Sequence, residues 1–291
     1  MAEKKKLRVI ATSDPLRYSG ALEMQYRVEL RKLVNAMLKE VADKIVNAYR
    51  QNKKGVSFAQ DGAANNMGDV ITELQKKYQK IFERQGEEAA KRMVMRQLRF
   101  SRSTFKKVLD KLMPKDSVPA ISGSAIPREM EQTIKASIME NVSLIKSIHN
   151  HYFEQVTGSV TRSMQAGGSI KQLREEILKY NGMTRRRAEF IANDQTRKTY
   201  NAINLRNFQK YGVQKVRWVH SGGGQTVREY HYRKWDGVSH NPPNGLNGYI
   251  FDIDNPPIIQ FAKGKTPEVR GYPAQLPNCK CVMQAVLVEE D

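Results

Sequence analysis

The sequence predicts a mainly α protein of the α+β class: a helical N-terminal region and a helical central domain, then a small irregular β/loop module at the C-terminus. Two observations lead there. Between Ala21 and Gly212 apolar residues recur at three- and four-residue steps, the spacing of one helix face. After Val213 that period disappears, and short stretches punctuated by Pro, Gly and aromatic residues replace it. The boundaries read as a basic arm (1–20), a helical region (21–112), a linker (113–127), a helical segment (128–212) and the β/loop module (213–291).

Each helix follows from its pattern. Leu30, Leu33, Val34, Met37, Val41, Ile45 and Tyr49 define the first, and the polar stretch from Asn52 to Gly68 reads as a loop. Ile71, Leu74, Tyr78 and Ile81 mark a second helix ending near Gln85, and Val94, Leu98, Phe105, Leu109 and Leu112 a third, from Glu87 to Met113. Three prolines between Met113 and Pro127 suit a linker. Ile134, Ile138, Val142, Ile145, Tyr152, Val156 and Val160 form the next buried face, which Gly167-Gly168 ends. Ser169 and Gln172 have capping-box spacing. Asn181-Gly182 reads as a left-handed stop, and Thr184 as the cap of a further helix running to Gly212. VQKVRWVHS alternates as a strand.

Charge restricts the partners. Lys and Arg number 49 against 30 acids, a net +19 with pI near 9.8, which favours polyanions such as nucleic acid, acidic proteins or anionic lipid. No apolar run approaches the ~18 residues of a membrane span, and the N-terminus lacks a signal-like apolar core, so a cytosolic, reducing birthplace is expected. Arg92, Arg96, Arg99, Arg102 and Lys106 recur at helical spacing as a candidate DNA-contacting stripe; the alternative is a solvated helix face. Arg185, Arg186 and Arg187 fall in the first turn of the helix capped by Thr184, where cations oppose the dipole. An anionic partner or a nearby acid would explain them.

Catalytic motifs are absent: no GxxxxGK[ST], HExxH or GxSxG occurs, and no nucleophile, base and oxyanion donor assemble, so no enzyme is expected. The two cysteines stand one residue apart in PNCKC, Cys279 and Cys281. On a strand they would share a face with Cα atoms roughly 6.6 Å apart, at the far edge of disulfide reach. Two thiolates there suit one soft ion, and zinc would take His231 and His220 as further ligands, with His240 in reserve; plain packing is the alternative. Asp252 and Asp254 could bind a divalent ion on one strand face, but solvated acids flanking a turn are the preferred reading.

Read in order, the segments ENVSLIKSIHNHYFEQVTGSV, RSMQAGGSIKQLREEILKYNGMTRRRAEFIANDQTRKTYNAIN, VRWVHSGGGQTVREYHYRKWDG and LPNCKC resemble the phage Mu protein F-like family of head morphogenesis proteins. The resemblance covers about residues 126–285. It implies a minor capsid protein of the virion, at the capsid interior or portal vertex and in the host cytoplasm during assembly. The implied partners are the portal protein, major capsid or scaffold proteins and double-stranded DNA, with roles in packaging or ejection and no membrane before infection. Members with C-x-x-C and C-x-C look like zinc knuckles. Here Arg228 and His231 occupy the first pair, which leaves at most His231, Cys279 and Cys281 as carried-over Zn2+ ligands, to be completed by His220 or His240; the alternative is His231 hydrogen-bonded near the cysteines, holding the loop without metal. Other readings are a sequence-independent DNA-binding protein without a capsid role, and a metal-dependent nuclease using His231, Asp236, Asp252 and Asp254.

Overall fold

A computed structural model describes residues 7–54, 60–119, 126–221, 245–260 and 267–290. The elements are β1 (Leu7–Thr12), α1 (Gly20–Lys54), α2 (Gln60–Leu112), α3 (Glu131–Gln165), α4 (Ile170–Lys210), β2 (Lys215–Val219), β3 (Ile250–Asp252), β4 (Ile258–Gln260), β5 (Val269–Arg270) and β6 (Val282–Glu290). Short 3-10 turns lie at Lys115–Ser117 and Arg128–Met130. The chain divides into two compact units. One, the bundle unit, comprises residues 21–93 and 136–193. The other, the sheet unit, comprises 1–20, 94–135 and 194–291. Mainly α with a small C-terminal sheet module is thus the observed class.

The bundle unit joins α1 to parts of α2, α3 and α4 in alternating directions. Lys77 reaches Glu40 at 2.7 Å, and Arg92 reaches Glu29 at 3.2 Å, so α2 descends as α1 rises. Tyr26 Oη donates to Asn141 Oδ1 and Tyr49 Oη to the Ser163 carbonyl, which sets α3 parallel to α1. Arg185 donates to Asn35 and Tyr152 to Asn181, completing the four helices with α4. Leu30, Val34, Met37, Val41 and Ile45 of α1 are all fully buried, as their spacing demands. Lys77 and Tyr78 both bond Glu40 and hold its carboxyl low, at about 2.

Three expected breaks are corrected. The loop from Asn52 to Gly68 is shorter, because α2 already begins at Gln60, and α2 passes through Gly86 without ending. Gly86 is there for packing: a Cβ would lie 2.8 Å from Ile145 Cγ2, a buried, stiff β-branched neighbour. Asn181-Gly182 stops nothing either, since α4 is one helix. The Asn181 side chain accepts the Tyr152 hydroxyl in the core, and Thr184 Oγ1 donates back to the Tyr180 carbonyl instead of capping. Arg185 to Arg187 are therefore mid-helix, and the dipole argument for an anionic partner lapses. The capping box is present with both bonds: Ser169 N–H donates to Gln172 Oε1 at 3.0 Å, and Gln172 N–H to Ser169 Oγ at 3.1 Å.

The sheet unit is built on an antiparallel sheet ordered β1-β6-β2-β3. Residues 7–12 of the N-terminal arm pair as an edge strand with β6, and β6 pairs with β2 in a register that sets Val216 opposite Ala285 and Trp218 opposite Met283. Alternation in β2 buries Val216 and Trp218, as the sequence predicts. Both pack with Phe105, Tyr200, Phe208, Phe251 and the two cysteines in one core. Among the described residues no helix is long and apolar enough to cross a membrane.

Candidate functional site

The PNCKC stretch is a turn that a buried acid of α4 holds in place. Asn278 has φ of 57°, left-handed backbone that Asn tolerates better than most residues. That conformation turns its N–H toward Asp194 Oδ1, which accepts it at 2.6 Å. Arg197, one turn further along α4, donates through Nη1 to Asn278 Oδ1 at 3.3 Å, and its guanidinium lies 4.9 Å from the centre of the Tyr18 ring. Lys198 stands 3.2 Å from Asp194 Oδ2, and Gln195 donates to the same oxygen. Asp194 and Arg197 are each only 5% exposed, so these charges act in a medium that weakens them little. The same helix continues as a buried polar face: Ser101 of α2 donates to Asn204 and accepts from Asn207.

Past the clasp, both cysteines are buried and free. The Cys281 Sγ lies 3.3 Å from His220 Nδ1, at the end of β2. The hydrogen bond that Cys281 Sγ–H donates to the Cys279 sulfur, followed by burial, pushes the Cys281 thiol well above its usual range, so it stays protonated at neutral pH. Such a thiol is inert rather than nucleophilic. His220 is fixed from its backbone, whose N–H donates to Asn247 Oδ1.

The family profile described as Phage Mu protein F like protein matches residues 154–284. Residues 154–284 are a Mu F-like segment. It contains both halves of the clasp, Asp194 and Arg197 at one end and PNCKC at the other. An uncharacterized protein of Haemophilus influenzae is 26% identical over 276 residues, 94% of this chain. The alignment spans 55% of that relative, so the chain has about half its length in common with it. No solved structure matches.

Within the Mu F-like segment, Cys279, Cys281 and His220 come together as the sequence suggests. His231, Arg228, Asp236 and His240 lie outside the described residues. In donor chemistry, two sulfurs and an imidazole suit zinc. Among the described residues, however, no three His, Cys, Asp or Glu side chains are arranged to hold a metal, so the described set does not complete a site. Asp252 and Asp254 flank a turn: Asp252 Oδ1 accepts the Asp254 N–H and Oδ2 pairs with Lys215 at 3.1 Å. Those two bonds, the Asp254 N–H first, lower the Asp252 pKa.

The basic candidates fall in different settings. Arg92, in the bundle unit, pairs with Glu29 and Glu88. Arg96 and Arg102 are half-buried in the sheet unit, whereas Arg99 and Lys106 are exposed there. In the bundle unit Arg185 donates to Asn35 and Arg187 to Ser147, both neutral partners, and Arg186 is exposed. The sequence reading missed Asp194, Arg197 and Asn278. The available signal was a run of polar residues, Asp194 to Thr196, at positions where the α4 pattern calls for burial.

Proposed function

We propose that the protein is a minor head protein that acts in phage head morphogenesis at the portal vertex and contacts packaged DNA. The observation that carries this reading is the match of residues 154–284 to Phage Mu protein F like proteins. The excess of 49 basic over 30 acidic residues suits a protein facing packaged DNA and aiding its packaging or ejection. Its role is structural rather than catalytic. The acids at Asp252 and Asp254 are engaged in a turn and an ion pair. Its partners are the portal and major capsid or scaffold proteins, and its place is inside the capsid, after assembly in the host cytoplasm. Coexpression with the portal and capsid proteins of the same phage tests this. The tagged chain is expected in purified procapsids at a fixed, low copy number, and its exclusion from them would overturn the reading.

Zinc is a second reading, favoured by the 3.3 Å approach of His220 Nδ1 to Cys281 Sγ. The ion would be held by Cys279, Cys281, His220 and His231, and would tie the C-terminal module together structurally. Metal content per chain decides it. One zinc in the wild type, lost in Cys279→Ser, is expected on this reading; near-zero metal in both leaves a hydrogen-bonded thiol–imidazole cluster.

A further inference from the structure

The sheet unit has a cavity of about 180 Å³ between the turn after β1 and the facing helices, lined by Asp14, Arg17, Thr104, Lys107, Val108 and Tyr200 among others. Its two sides differ in kind. Leu16, Val108 and the Tyr200 ring are buried apolar wall, and Thr104 Oγ1 and Tyr200 Oη, 2.9 Å apart, make a polar patch on it. At the mouth stand two exposed cations, Arg17 and Lys107. Asp14, the one acid among the described residues that line the cavity, is paired with Lys111 at 2.7 Å. Among the described residues neither Arg17 nor Lys107 has an acidic partner. The turn that presents Arg17 is held by its own N–H, which donates to the Pro15 carbonyl at 2.9 Å.

We propose that this pocket seats one phosphodiester oxyanion of a nucleic-acid backbone, with Arg17 and Lys107 gripping its oxygens. Two cations beside an apolar wall attract an anion more strongly than the same charges on an open face, because the wall excludes solvent screening. The pocket thus adds residues outside the helical stripe to the DNA contact on which this inference rests.

The experiment measures binding of the full chain to a labelled 20-base-pair duplex across a salt series, for wild type and for an Arg17→Gln, Lys107→Gln double variant. Both positions are exposed, so the fold is expected to persist, with circular dichroism as the check. Losing one seated phosphate should lower the slope of log K against log salt by about 0.9 and weaken binding roughly tenfold at ~0.1 M salt. Wild-type binding with an unchanged slope in the variant would overturn the pocket but spare the DNA reading. A wild type that does not bind duplex even at low salt would overturn both. Loss of thermal stabilisation by inorganic phosphate, with duplex binding unchanged, would mark a site for free phosphate and so overturn the nucleic-acid assignment.

Discussion

Replacing Trp218 with alanine is expected to destabilise the sheet unit by about 4 kcal/mol, the cost of removing a large, fully packed aromatic and leaving a cavity. Trp218 is 1% exposed, faces Met283 across the β2–β6 pair and lies 6.4 Å from the Phe251 ring. It also shares one buried core with both cysteines. A chemical denaturation series followed by circular dichroism should show the lowered midpoint. Under native conditions Cys279 and Cys281, buried in the wild type, should become open to a thiol reagent. A midpoint within the range of a surface substitution would mean that Trp218 is not central to this core.

Asp194→Ala carries the second large effect, about 3 kcal/mol. The substitution removes a charge-assisted, part-buried bond to the Asn278 N–H and leaves that donor without its protein acceptor. It also takes the carboxylate partner from Lys198, in a part-buried ion pair. Asp194→Asn separates the contributions: it keeps an acceptor oxygen for Asn278 but no charge for Lys198, so about 1 kcal/mol is expected. If Asn and Ala variants lose the same amount, the ion pair rather than the clasp dominates.

The difference between what could and could not be read from the sequence follows the range of the forces involved. Local chemistry was legible. The Ser169–Gln172 box needs only residues three apart, and the burial of Val216 and Trp218 needs only strand alternation. Helix boundaries were less so, because Gly86 and Asn181-Gly182 look like stops until their tertiary partners are known. Gly86 gives room to Ile145, and Asn181 serves Tyr152. The site divided in the same way. Cys279, Cys281 and His220 were found from residue type, whereas the Asp194–Asn278 contact joins positions 84 residues apart and left only a weak trace, polar residues where burial was due.

Hydrogen exchange at the Asn278 amide tests the clasp that unites the two halves of the Mu F-like segment. In the wild type this amide should be protected, being donated to a buried carboxylate at 2.6 Å. In Asp194→Ala its protection should fall to that of an open loop, while amides around Tyr200 and Asn204 within α4 remain protected. Equal protection at Asn278 in both proteins would contradict the clasp.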